Sequence, residues 1–212
     1  MNIIILGAGG HAKVLAEILE NVIGYTDADP ALHGKIISGR PVIGDDEAIT
    51  RHHPMTVRVA NGLGSAHSMA LRRKVYERWA DTFAGPAQNA RYRFVEVIHP
   101  SAVISKSAIF GAGVQVMAGA IINTRAAIHG NTIINTGAII EHDCKIGAHC
   151  HIAPGATICG GVTIEEAVHV GCGATVIQGV YVGHGSLIAA GAVVVKDVSA
   201  GSRVKGVPAE VW

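Results

Sequence analysis

Aromatic side chains are nearly missing from this chain: two Trp, four Tyr and three Phe make up 4% of 212 residues. Its apolar content is nevertheless 49%, so any core must be packed with aliphatic groups rather than rings. Charged residues are also few, at 16%, and they balance to +1, which gives no electrostatic footprint for nucleic acid. No basic stretch precedes a short apolar segment, and no apolar run is long enough to cross a bilayer. A cytoplasmic protein without leader or membrane span is expected. The four cysteines, Cys144, Cys150, Cys159 and Cys172, lack CxxC spacing, and no metal is expected. Glycine is the plentiful residue, with 27 copies, as a tightly turning chain requires.

From Ile98 to Lys205 the sequence reads in sixes. First positions run Ile98, Ile104, Phe110, Val116, Ile122 and onward to Ala200, and sixteen of the eighteen are Ile or Val. Fifth positions are small, as at Ala102, Cys144, Cys150, Ala156, Ala174 and Ser186. Gly, Asn, Asp or His often takes the third or fourth position, as at Gly113, Gly119 and Gly130-Asn131. In extended chain, alternate side chains face one way, so the fifth residue and the next first residue both point inward. The third and fourth turn a corner. A fixed short period signals a solenoid, here a β-helix of about eighteen residues and three faces per coil. An ordinary sandwich of strands has no reason to hold that spacing. Cys144 and Cys150 then become reduced core residues.

Residues 1–93 follow another rule. Asn2-Ile3-Ile4-Ile5-Leu6 reads as a strand, followed by Gly7-Ala8-Gly9-Gly10-His11-Ala12 and a helix over about 11–20. Further strands are expected at 22–26 and 56–60, a helix at 66–79 carrying Arg72, Arg73 and Lys74, and a connector over 84–92. This is a Rossmann-like βαβ pattern with a glycine turn opening a helix. Gly7, Gly9 and Ala12 fit G-x-G-x-x-A, and Asp27 follows Gly7 by twenty residues. Glycines there let backbone N–H groups approach a phosphate at a helix N-terminus. Some ninety residues cannot form two mononucleotide-binding halves, so a smaller diphosphate ligand is favoured over NAD. Two domains result, 1–93 and 94–212.

The runs GAGGHAK, IHPSA, IIEHDCKIG, HIAPGA and GVPA resemble the PglD/NeuD branch of hexapeptide-repeat sugar acetyltransferases, over essentially the whole chain. The resemblance implies a left-handed parallel β-helix, a hand that the period alone does not give, and a homotrimer with active sites between subunits. It implies an acetyl-CoA-dependent N-acetyltransferase acting on a nucleotide-linked amino sugar, of the UDP-4-amino-sugar type. His142 matches the general base and Asp143 the carboxylate that holds it. His151 and Gly160 match positions near the acetyl-CoA thioester, the latter through its backbone N–H. Gly9, Gly10 and His11 match the nucleotide-sugar loop, with Asp27 and Asp29 as ribose or base contacts. Glu210 departs from the Lys or Arg that many relatives have after GxPA, which leaves Lys196, Arg203 and Lys205 as cations for the CoA phosphates.

The residues support this chemistry on their own terms. Acyl transfer from a thioester needs a base, an oxyanion donor and a held nucleophile. His142 stands at a corner, where it cannot serve the core, beside a carboxylate able to fix its tautomer. The alternatives are O-acetylation of the sialic-acid type, a zinc enzyme of the gamma carbonic anhydrase type built on the His151 and His169 ridge, and a scaffold without activity. The outward apolar residues Val103, Ile109, Ile121, Ile133 and Ile139 are expected to be covered by neighbouring subunits or by the N-terminal domain.

Overall fold

The computed structural model describes residues 1–64, 68–80 and 92–212. Apart from Tyr92, the connector expected over 84–92 lies outside them. Two compact units are present: Met1–Gly64 with Leu71–Val97, and Ser65–Ala70 with Ile98–Trp212.

The first unit is a parallel three-stranded sheet. Its strands are β1 (Asn2–Leu6), β2 (Val22–Thr26) and β5 (Val57–Asn61), with β1 in the centre. Ile4, Ile5 and Leu6 are fully buried, because a strand covered on both faces is apolar at every position. Helix α1 (Gly10–Ile18) buries Ala12, Leu15 and Ala16, and stops two residues short of expectation where Leu19 turns extended. Helix α2 begins at Ala70 and runs to Trp79, with the Ala70 N–H donating to Ser68 Oγ at 3.1 Å. A small hairpin of β3 (Ile36–Ile37) and β4 (Arg40–Pro41) was not foreseen; its turn residues Ser38 and Gly39 both have positive φ.

The second unit is a parallel β-helix. Seventeen two-residue strands, from Val97–Ile98 to Val193–Val194, recur every six residues and stack into three sheets. Strand partners are eighteen residues apart, as in Ile121 with Ile139 and Ile133 with His151. First and fifth hexad positions form one continuous core in which Ile140, Cys144, Ile146, Cys150, Ile152 and Ile158 are fully buried. Each aliphatic rung contributes on the order of 1.5–3 kcal/mol by leaving water. The corners repeat as well. Fourth positions adopt the left-handed conformation, at nine glycines including Gly155 and Gly161, and at Arg125, Asn131, Asp143, His149 and Ala167. From Asn131 onward their N–H groups donate to the third-position carbonyl of the preceding coil, as Gly161 does to His142 at 2.9 Å, whereas the N–H groups of Gly119 and Arg125 donate to Ser101 and Ser107 Oγ.

The hexad register, expected to run on to Lys205, fails at its end. Val198 bridges Val182 and Val204 pairs with Ile188, sixteen residues apart instead of eighteen. Ala200, the eighteenth expected rung, is exposed, and Val198 and Val204 take the inward places. Two physical reasons favour the shorter corner. Valine buries more apolar surface than alanine. The Tyr181 N–H also finds the Asp197 carboxylate, at 2.8 Å, in place of a backbone carbonyl.

Candidate active site

One corner column of the β-helix gathers the chemistry. His142 and Asp143 form the corner between strands Ile139–Ile140 and Lys145–Ile146. Asp143 has φ 62°, which throws its side chain beside that of its neighbour. His142 Nδ1 lies 2.8 Å from Asp143 Oδ2. The Asp143 carboxyl is held down to about 2, first by the Arg125 guanidinium and then by His142, so it is ionised and only accepts. Nδ1 must therefore carry the proton in that hydrogen bond, which leaves Nε2 of the neutral ring as the basic nitrogen.

Gly160, one coil further on, is what gives the ring its place. A Cβ added there would sit 2.7 Å from both Cε1 and Nε2 of His142, so only glycine admits the imidazole. The preceding coil contributes Arg125, whose Nε–H donates to Asp143 Oδ1 at 2.6 Å. Sequence reasoning missed this arginine, although its distance of eighteen residues from Asp143 is one coil.

His151 is not on this corner. It stands on the sheet that contains Ile133, packs against His169 with ring centroids 5.0 Å apart, and is nearly buried. Asn135 Oδ1 accepts from the Thr136 N–H at 2.8 Å, which orients its amide so that Nδ2 donates to His151 Nε2 at 3.0 Å. His151 and His169 open on a cavity of about 430 Å³ that also exposes Pro154, Cys172 and Leu187. Of the three cations near the tail, Lys196 reaches Glu210 at 3.3 Å and Lys205 lies over the Trp212 ring at 5.2 Å.

In the first unit a cavity of about 360 Å³ is lined by Gly7, Asp27, Asp46, Leu63, Lys74 and Arg78, next to the carboxyl ends of β1, β2 and β5. This is where open parallel sheets bind ligands. Gly7 has φ +90°, whereas a Cβ on Gly9 or Gly10 would meet no atom of the described residues within 4 Å. Asp27 is committed to the chain itself: Oδ2 accepts from Ala8 N–H and Oδ1 from Asp29 N–H, both at 2.9 Å. Asp29 caps a short 3₁₀ turn through Ala31 N–H at 2.9 Å. Both aspartates thus build the loop. Arg72, fully buried and lowered to about 9 by that burial, donates to the Asn61 and Leu63 carbonyls at 2.9 and 2.6 Å, fixing the loop after β5. Asp46, hydrogen-bonded by Thr26 and raised by burial, and the cations Lys74 and Arg78 were given no role by the sequence.

The PglD N-terminal domain family matches residues 2–79, and the bacterial transferase hexapeptide family matches residues 125–160. A search of curated protein sequences returns no significant match. Among solved structures, PerB from Caulobacter crescentus, in complex with CoA and GDP-perosamine, is 38% identical; the match covers 100% of this chain and 97% of that one, with a TM-score of 0.87. The chain belongs to the PglD-like hexapeptide-repeat acetyltransferases. The acetyltransferase domain of PglB from Neisseria gonorrhoeae FA1090 is 32% identical over 100% of this chain and 99% of its own, with a TM-score of 0.87. The same domain has also been solved in complex with acetyl coenzyme A. PglD-like membership makes this chain an acyltransferase that uses acetyl-CoA.

Proposed function

We propose that this protein transfers the acetyl group of acetyl-CoA to the amino group of a sugar carried on a nucleoside diphosphate, with His142 as the general base. The observation that carries the reading is the His142 ring, held by Asp143 and seated on Gly160, in a chain that aligns end to end with an N-acetyltransferase crystallised with CoA and GDP-perosamine. The amine nitrogen attacks the thioester carbonyl carbon, and a C–N bond forms as the carbonyl π pair moves onto oxygen. Gly160 N–H is the assigned donor to that oxygen. The nitrogen loses its proton to His142 Nε2, the C–S bond breaks as the carbonyl reforms, and the imidazolium returns the proton to the departing thiolate. Asp143 stabilises the imidazolium without taking the proton.

In this reading the Gly9-Gly10-His11 loop and the cavity beside it hold the nucleotide diphosphate, and His151 with its groove holds acetyl-CoA. His142 and His151 stand on different parts of the coil, which suits a homotrimer whose sites pair the corner of one subunit with the groove of the next. N-acetylation is preferred to O-acetylation because the 38% identical relative is an amino-sugar enzyme. Two nucleotides stand as readings: uridine diphosphate, from the resemblance in the sequence, and guanosine diphosphate, from the sugar bound to that relative.

Thiol release from acetyl-CoA, measured with GDP-perosamine and with a UDP-linked 4-amino sugar, separates the two. On the accepted sugar, His142→Asn should lower kcat by about 10²–10⁴-fold, the usual worth of general-base assistance. Its melting temperature should hold, because the corner contributes nothing to the core. A His142 variant working at wild-type rate would mean that another group takes the proton.

A further inference from the structure

We infer that Arg125 is a positioning residue for acetyl transfer: from the preceding coil it fixes the Asp143 carboxylate and, through it, the tautomer and orientation of the His142 ring. This rests on His142 being the base proposed above. The carboxylate is gripped from both sides, Oδ1 by Arg125 Nε–H at 2.6 Å and Oδ2 by His142 Nδ1 at 2.8 Å. With both oxygens engaged the carboxylate cannot rotate, and Oδ2 stays aimed at Nδ1. Without the arginine, Asp143 would be a partly exposed side chain turning against water. Its Oδ2 would hold the imidazole only part of the time.

Arg125 is itself held. Its N–H donates to Ser107 Oγ at 3.1 Å, and Ser107 Oγ lies 2.8 Å from Thr124 Oγ1. The Asp143 N–H donates to the Thr124 carbonyl at 3.0 Å, so the two corners are joined through backbone as well as side chain. Nothing in the winding asks for arginine at this place. Its φ of 57° is a conformation that glycine fills at nine comparable corners. Its side chain is 70% exposed and adds nothing to the core. An exposed Arg–Asp pair contributes little to stability. The column reads Ser107, Arg125, Asp143 with His142, then Gly160: four successive coils, each fixing the next group toward Nε2.

The test compares Arg125→Met, Arg125→Lys and Asp143→Asn in the full chain, using acetyl-CoA with GDP-perosamine and with the UDP-linked 4-amino sugar. Arg125→Met should lower kcat by about 10–100-fold, a scale taken from the outer partners of metal-bound histidines. Both KM values and the melting temperature should stay put, and Arg125→Lys should recover part of the loss. Added to Asp143→Asn, it should cost nothing further, because an effect transmitted through Asp143 disappears with Asp143. A second readout needs no turnover. Long-range ¹H–¹⁵N spectra of the imidazoles, with His142 identified by its absence in His142→Asn, should show the Nδ1–H tautomer in wild type and a mixture in Arg125→Met. The inference falls if the tautomer is unchanged, if the losses multiply, or if the sugar-nucleotide KM rises while kcat holds, since that would make Arg125 a substrate contact. An inactive His142→Asn beside a fully active Arg125→Met sinks this inference alone; an active His142→Asn sinks the choice of base.

Discussion

Single side chains of this protein carry chemistry only where the winding exposes them. The four cysteines illustrate the point. Cys144 and Cys150 occupy fifth positions, where burial pushes their thiols up to about 11 and about 12. Cys144 Sγ–H donates to the Cys159 carbonyl and Cys150 Sγ–H to that of Glu165, at 3.1 and 2.9 Å. Both remain protonated at any ordinary pH, and the thiolate is the reactive form. Iodoacetamide at pH 8 should therefore modify exposed Cys172 readily and reach Cys144 and Cys150 only after denaturation, as peptide mass mapping would show. Rapid labelling of Cys150 in the folded protein would contradict the packing. The buried fate of these two thiols was legible in the hexads, and so was the adjacency of His142 and Asp143. Arg125 was not, because a partner eighteen residues away becomes visible only once the coil length is known and the two corners are seen to stack.

Elements differ in what their glycines are for. Gly7 turns through φ +90°, and a Cβ on Gly62 would lie 2.5 Å from Ile5 Cγ2 and 2.7 Å from Ala12 Cβ, so both serve the fold. Gly9 and Gly10 differ: among the described residues nothing lies within 4 Å of a Cβ on either, and Gly9 has an ordinary φ of −78°. Under the proposed function, that space takes the nucleotide diphosphate. Gly10→Val should raise the sugar-nucleotide KM strongly, leave acetyl-CoA affinity unchanged and keep the melting temperature. Gly62→Ala should lower stability by about 1–3 kcal/mol, the usual cost of overpacking. Steady-state kinetics and thermal unfolding of the two variants separate the roles, and a Gly10 variant that loses both affinities equally would assign that glycine to the fold. Sequence could mark Gly7, Gly9 and Gly10 as a motif but could not divide them, because the division depends on which atoms lie across the turn. The same limit hid the β3–β4 hairpin, whose strands are two residues long. It also hid the short corner before Val198, where the competition between valine and alanine for one inward place, together with the Tyr181 N–H bond to Asp197, decides the register.

At the scale of the whole molecule, the aliphatic residues that face outward matter most. Val103, Ile109 and Ile121 are 64%, 67% and 36% exposed, in strands that begin the β-helix. Val103 and Ile121 stack on one sheet and Ile109 stands on the next, and exposed aliphatic side chains grouped in this way suit association with like copies. A trimer in sedimentation at micromolar concentration is the expected state, and Ile109→Lys should shift it toward monomer with loss of activity. A wild-type monomer that is fully active would remove the case for shared sites. The far end of the coil behaves differently. The Val193 N–H meets the Gly206 carbonyl, the Ala209 N–H meets the Val193 carbonyl, Val198 bridges Val182, and Glu210–Val211 runs antiparallel along Arg203–Lys205. A stack of identical rungs has no length of its own: each open rung is a mould for one more, whether from the same chain or from a stranger. The residues after Val194 cover that mould on all three sheets, which takes the last parallel rung out of reach of a stranger.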